Sequence, residues 1–284
     1  MGSTPGMIGA SQISGSLDAK NLVMGVLQSG IELSNLQVLC GKVQVPELTA
    51  TIPVATAGSV SEDLLEFESS DVEGASFTNV DFSLKKDRIK FAVSDEAGYK
   101  SKAGDPLAIQ KVGGGVQLAA ILDKKIATAF ETSPQTGATA AAWDTTTNNP
   151  LIDIATAVAA LRPYKADAIC MHSNVFAHYI SNDLIKTAGT GNLTAFEGAV
   201  MRVPGVNLDI FVNDNFTATS ATVVATNGMP AVIGNGPVKV RSWDAEDSGA
   251  KMYQMDVFRQ VVAPIYKNSS SLNMAAYEIT SVIS

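Results

Sequence analysis

Groups that carry chemistry near neutral pH are scarce in this 284-residue chain, which has two cysteines, Cys40 and Cys170, and two histidines, His172 and His178. Readings as an enzyme or a metalloprotein start with few carriers. Basic charge is short as well. Twenty Lys and Arg face 28 Asp and Glu, a net charge of −8, so no global positive field exists to hold nucleic acid through its phosphates. Any such contact must be local. No window approaches the roughly 20 apolar residues that span a bilayer. Even residues 24–40 are interrupted by Gln28, Ser29, Gly30, Glu32, Ser34, Asn35 and Gln37, and a soluble protein with no membrane partner is expected. Residues 1–16 are Gly/Ser-rich and uncharged where a secretory signal needs a basic n-region. They read as a flexible arm, ordered only by docking. Two cysteines so far apart in sequence give no disulfide framework, which makes a reduced compartment the default.

Nucleotide and hydrolase signatures are missing too. Gly113-Gly114-Gly115 has neither the Gly-Lys-Ser/Thr of a P-loop nor the strand followed by Gly-x-Gly-x-x-Gly of a dinucleotide site. No Gly-x-Ser-x-Gly elbow or His-Glu-x-x-His pair occurs. Asp244-Ala245-Glu246-Asp247-Ser248-Gly249 lacks the alternate-position ligands and closing carboxylate of a calcium loop, and reads as a solvated turn. Cys170 and His172 share a face at a strand end, with His178 on the next helix. A structural zinc needs four ligands and no further Cys or His lies nearby, so packing is the expected role of all three. No enzyme, cofactor or metal is expected.

What is present is core. Apolar residues make up 46% of the chain against 17% charged, which excludes a disordered tail and suffices for one large domain or two small ones. Ser16 caps a helix over 17–28, where Leu22, Val23, Val26 and Leu27 form an apolar stripe that Gly30 ends. Residues 42–45 alternate as a strand, and Pro46 confines it to an edge or an end. From 47 to about 76 the chain is extended and acidic, as functional arms are. Residues 80–84 and 89–93 alternate on either side of Lys85-Lys86-Asp87-Arg88, a β-hairpin with a charged tip whose apolar row needs a covering surface.

Asp105-Pro106 opens a long helix to about residue 131, with Gly113-Gly114-Gly115 marking a bend or close backbone packing. Residues 133–149 read as a mobile loop. Asn149-Pro150 opens a helix carrying Leu151, Ile154, Ala155, Val158 and Leu161, and 168–171 is an apolar strand. Ser173 is then expected to cap a helix with Val175, Phe176, Tyr179 and Ile180. After a Gly/Thr-rich loop over 187–198, strands are expected at 208–212, 222–225, 231–233, 238–243, 251–262 and 273–283. Helices and strands interleave with a long arm and hairpin, which is α+β rather than a doubly wound sheet.

The densest basic cluster is Lys85, Lys86, Arg88 and Lys90. It reads either as an ordinary solvated tip or as a surface paired with acidic residues of a neighbouring subunit, with Glu62, Asp63, Glu66 and Glu68 as candidates.

The order of parts is specific. Val43-Gln44-Val45-Pro46, the acidic extended segment, Ser76-Phe77-Thr78-Asn79-Val80-Asp81-Phe82-Ser83-Leu84-Lys85-Lys86, and Ala92-Val93-Ser94-Asp95-Glu96 before a long helix resemble major capsid proteins of tailed viruses with the HK97 fold. Near the C-terminus, Gly228-Met229-Pro230-Ala231-Val232-Ile233-Gly234, Val238-Lys239-Val240-Arg241 and Asp256-Val257-Phe258-Arg259-Gln260-Val261-Val262-Ala263-Pro264-Ile265 are similar to the family's closing strands. The resemblance implies an N-terminal arm over 1–46, an extended loop over 47–92 that reaches across a neighbour, and a peripheral domain with its spine helix over 93–147. It further implies an axial domain over 148–235, returning peripheral strands over 236–268 and a last axial strand over 269–284. The extended loop then supplies the contacts between subunits, through Phe82, Leu84, Lys85, Lys86, Arg88, Lys90 and Phe91 and the acidic Glu62, Asp63 and Glu66.

The implied function is structural. Hexamers and pentamers assemble into an icosahedral virion shell in the host cytoplasm, with packaged double-stranded DNA held non-specifically on the inner face. Scaffolding, portal and cementing proteins are the further partners implied. Some members of the fold join subunits through a lysine–asparagine isopeptide bond; here Asn79 and Ser248 fall near those positions, so no crosslink is expected. The alternative reading is an encapsulin-like cellular compartment of the same fold.

Overall fold

The computed structural model describes residues 34–56, 76–94, 106–139, 142–145, 148–189, 202–245, 250–263 and 272–284. In chain order the elements are β1 (Gly41–Gln44), β2 (Thr49–Thr56), β3 (Ser76–Ser83), β4 (Lys85–Ser94), α1 (Pro106–Phe130), β5 (Pro134–Ala138), α2 (Pro150–Ala160), β6 (Ala168–Met171), α3 (Ser173–Ser181), α4 (Asp183–Gly189), β7 (Asp209–Val212), β8 (Ala221–Val224), β9 (Val232–Ala245), β10 (Ala250–Val262) and β11 (Asn273–Thr280). The expected helix over 17–28, the turn at 246–249 and most of the 187–198 loop lie outside the described residues.

Three sheets organise the strands. The long antiparallel pair β9–β10 is flanked by β1, parallel to β9, and by β4, antiparallel to β10. β1 is an edge strand that stops before Pro46, as expected of that proline. A five-stranded mixed sheet runs β5-β11-β8-β6-β7. The third sheet is a two-stranded ribbon of β2 and β3, paired from Thr49↔Ser83 to Thr56↔Ser76.

Helices cover these sheets according to their apolar faces. α2 and α3 bury Ile154, Ala157, Val175 and Tyr179 against Ile169, Met171, Val223 and Ile279 on one side of the five-stranded sheet. The C-terminal half of α1 meets the other side, where Leu122, Ile126 and Phe130 join Ala168, Cys170, Val224 and Ala276. That same cluster takes in Ile233 of β9, so α1 also reaches the four-stranded sheet. Further along, Leu118 packs with Ile89, Phe91, Tyr253, Met255 and Val257. On the opposite face of that sheet the ribbon is rooted, with Val80, Phe82 and Leu84 against Val45 and Val232.

Several expectations change. β3 and β4 are consecutive but do not form a hairpin: β3 pairs with β2 and β4 with β10, over ten registered positions. Alternation identifies a strand without choosing its partner, and Lys85-Lys86-Asp87-Arg88 lies inside β4 rather than at a tip. The apolar row Ile89, Phe91 and Val93 is covered by α1 and β10 of its own chain. Residues 85–94 therefore belong to the four-stranded sheet, although the resemblance counts most of them in the extended loop. The two short strands expected over 231–243 are one, β9, because Gly234-Asn235-Gly236-Pro237 is absorbed at a register shift opposite Val257 and Arg259. The expected mobile loop contains β5, parallel to β11, and Trp143, buried with its Nε1 donating to Asp153 Oδ2 at 2.9 Å. Finally, the N-cap of α3 is His172, not Ser173: the Asn174 N–H donates to His172 Nδ1 at 3.0 Å.

Candidate inter-subunit surfaces

β4 presents two faces with opposite roles. Its odd-numbered residues point to α1. There Asp87, 11% exposed, accepts from both sides: Lys125 Nζ donates to its two oxygens at 2.7 Å and Arg259 Nε to Oδ2 at 2.9 Å. Arg259 also donates to the Leu118 carbonyl at 2.7 Å, so one buried ionic group ties β4, β10 and α1 together. Beside it, Lys85, Ile121, Lys124, Thr128 and Val261 line an open groove of about 700 Å³ with an apolar floor and a cationic rim.

The even-numbered residues form the other face. Lys86, Arg88 and Lys90 are exposed, and the registers set them beside Phe258, Asp256 and Gln254 of β10. On the far side of β10, Lys239, Arg241 and Trp243 of β9 stand opposite Asp256, Gln254 and Met252. The result is a sheet face bearing five cations around one carboxylate, in a chain of net charge −8. Arg88 Nε and Nη2 donate to the Asp256 oxygens at 2.7 and 3.2 Å, and Gln254 donates to the same carboxylate. The Arg88 hydrogen bond holds the Asp256 carboxyl below its ordinary range. Lys239 lies 5.7 Å from the Phe258 ring centroid. Trp243 is 40% exposed at the end of this face.

The expected contact residues thus divide. Phe82 and Leu84 are buried at the ribbon root and Phe91 beneath α1, so their apolar surface is spent within the chain. The cationic Lys86, Arg88 and Lys90 share one exposed face, while Lys85 turns to the α1 groove. Glu62, Asp63 and Glu66 lie outside the described residues. Alternation in the expected strand over 238–243 puts Lys239, Arg241 and Trp243 on one face, but their relation to Arg88 and Lys90 is not legible in the sequence, because it runs across β10 and is set by register alone.

The ribbon root is built on missing side chains. A Cβ at Gly234 would stand 2.6 Å from Phe82 Cδ1, and one at Gly236 would clash with Leu84 and approach the Phe258 carbonyl. Gly is needed at both positions for the ribbon to lie this close. The Ser83 N–H donating to Gln260 Oε1 and the Leu84 N–H donating to the Leu48 carbonyl complete the attachment.

The soft-ligand cluster is dispersed in role. Cys170 is in the core, where burial pushes its thiol well above the ordinary range. His172 is engaged as a helix cap, and His178 lies in the last turn of α3. Among the described residues, no group of three His, Cys, Asp or Glu is placed to hold a metal ion, and no helix is long and apolar enough to cross a membrane.

No protein-family model and no curated protein matches the chain. Solved structures do. The chain is similar to the capsid of a native GTA particle, with a TM-score of 0.66 and 13% identity over 87% of this chain and 90% of that one. It is similar to a virus-like particle from Pyrococcus furiosus, with a TM-score of 0.61 and 11% identity over 92% and 98% of the two chains. The mature capsid of bacteriophage PhiM1 gives 0.59 and 10% identity over 87% and 86%. The likeness in backbone path runs over more than four fifths of each chain, so the chain has the fold of HK97-type capsid proteins.

Proposed function

We propose that this chain is a structural capsid protein whose copies assemble as hexamers and pentamers into an icosahedral shell around double-stranded DNA, without covalent links between subunits. The observation that carries the reading is a fold shared with the GTA capsid over 87% of this chain and 90% of that one. In this reading the four-stranded sheet with α1 is the peripheral domain, the five-stranded sheet with α2 to α4 is the axial domain, and the ribbon with residues 57–75 is the extended loop.

Charge supports a particular contact. Residues 57–75 contain Glu62, Asp63, Glu66, Glu68, Asp71 and Glu73 and no Lys or Arg, which accounts for six of the eight net negative charges. The sheet face of Lys86, Arg88, Lys90, Lys239 and Arg241 carries the opposite sign. A loop of one subunit laid on this face of the next joins complementary fields, and many such weak contacts close a shell. An acidic chain is compatible with DNA inside, since packaged DNA brings its own counterions and a basic wall would bind it tightly.

Electron microscopy of the purified protein tests the reading: closed particles of uniform diameter are expected. A monodisperse monomer at every protein and salt concentration overturns it. Boiling assembled particles in SDS should return a single 29.6 kDa band, and a ladder of multimers refutes the absence of crosslinks.

A further inference from the structure

The chain's two histidines stand at opposite ends of one helix, α3. Histidine is the side chain whose ordinary titration falls between pH 5 and 8. His172 caps the start of α3 with its ring: Nδ1 accepts the Asn174 N–H at 3.0 Å, while the His172 carbonyl accepts the Phe176 N–H at 3.0 Å. A ring nitrogen that accepts carries no proton, so the capping imidazole is neutral with its hydrogen on Nε2. That nitrogen lies 3.9 Å from Asp214 Oδ1, and Asp214 also accepts the Ser173 N–H at 3.3 Å. The ring is thus held between a backbone donor and a carboxylate.

We propose that His172 is a pH-sensitive latch on α3: a proton and the Asn174 N–H compete for the one lone pair of Nδ1, so acidification frees the first turn of the helix. Imidazolium has a donor on each nitrogen and offers no acceptor to the backbone. The proton comes from solvent, which reaches the half-buried ring; Nδ1–H forms and the hydrogen bond from Asn174 breaks. Two carboxylates and no cation surround the change. Asp214 faces Nε2, which keeps its hydrogen in both states, and Asp123 of α1 stands across the pocket that Ser173 and Asp214 line, a pocket of about 440 Å³ with no Lys or Arg in its wall. The position gives the latch reach beyond α3. In that pocket Asn213 Nδ2 donates to Asp123 at 3.0 Å and to Asn35 at 3.1 Å, and Ser34 Oγ donates to Asp123 at 2.5 Å, so the freed turn borders the point where residues 34 and 35 are fastened to α1. His178, in the last turn, has the opposite sign, because a positive charge there favours the helix. This inference concerns one chain and does not rest on the shell reading.

Amide exchange of the full chain at about pH 7.5 and about pH 5.5, read by mass spectrometry and corrected for the intrinsic pH dependence of exchange, tests the latch. Protection over residues 173–177 should fall about fivefold at the lower pH, the worth of an N-cap, while β6 and β8 keep theirs. His172→Asn supplies an acceptor that does not titrate and should remove the fall. His172→Ala should leave the turn weakly protected at both pH values, and His178→Asn should keep the fall or deepen it. Equal protection at the two pH values in the natural chain overturns the proposal. So does a fall that survives in His172→Asn or vanishes in His178→Asn.

Discussion

Asp87 is one carboxylate serving two cations at the junction of three elements. Replacing it by Asn keeps the shape but leaves Arg259, 10% exposed, and Lys125 without a counter-charge. Removing one partner from a buried pair is costly, so Asp87→Asn should destabilise the fold by about 3 kcal/mol in urea unfolding. Arg88→Ala, on the solvent side of the same strand, should cost far less. Asp256 adds a pH signature. Its folded carboxyl, held low by the Arg88 hydrogen bond, releases its proton more readily than the unfolded one. Between the two values the unfolded state binds more protons, so stability rises with pH there and is lost as pH falls below about 4. Urea midpoints measured from pH 5 down to pH 2 should show a shallower loss in Asp256→Asn than in the natural chain. The glycine triplet separates propensity from packing. Alanine is favoured over glycine in a helix by about 1 kcal/mol, and a Cβ at Gly113 meets nothing within 4 Å, so Gly113→Ala should stabilise. At Gly114 the same Cβ stands 2.5 Å from Phe91 Cζ, whose ring is held among Leu118 and Tyr253, and Gly114→Ala should destabilise instead. Thermal melts of the pair that shift in the same direction would refute this account.

At the scale of elements, local signals were legible and partners were not. The span of α1, the Asn149 cap and Pro150 start of α2, the apolar run of β6 and the edge position of β1 all follow from residues within a few positions of each other. The pairing of β4 with β10 joins positions more than 150 apart, and nothing in the alternation of β4 distinguishes that partner from β3. The burial of Trp143 is illegible for a related reason: its surroundings of Thr, Ala and Asn are loop-like, and the burial depends on Tyr179 and Asp153 arriving from elsewhere. The basic face was half legible, as one row of lysines on β4, with its second row on β9 hidden by register. The ribbon yields a prediction at this scale. Two strands alone are marginal in water, and Phe82, 2% exposed over Gly234, fastens this pair to the four-stranded sheet. Phe82→Ala should cost about 3 kcal/mol, and amide exchange should show β2 and β3 losing protection before β9 and β10.

For the whole molecule, the distribution of charge says more than its sum. Six carboxylates lie within 57–75 and five cations on one sheet face, so a single chain carries both halves of a complementary pair. If the pairing is between copies, reversing either half alone should block assembly: Lys86→Glu, Lys90→Glu, Lys239→Glu and Arg241→Glu together turn the face negative against a negative loop, and Glu62→Lys, Asp63→Lys, Glu66→Lys and Glu68→Lys together turn the loop positive against a positive face. A chain carrying all eight substitutions restores complementarity at every contact and should again form closed particles. Mixing the two half-reversed chains makes a sharper demand. Each then matches only the other, so around a ring built of one repeated head-to-tail contact the two kinds must alternate. Alternation closes in a ring of six and fails in a ring of five, so the mixture should yield hexamers or open sheets but no closed icosahedral shells under the microscope. Raising salt from about 0.1 M to 1 M shortens the screening length from about 10 Å to 3 Å and should weaken assembly of the natural chain. Closed shells from either half-reversed chain alone would show that these charges do not meet across the subunit boundary.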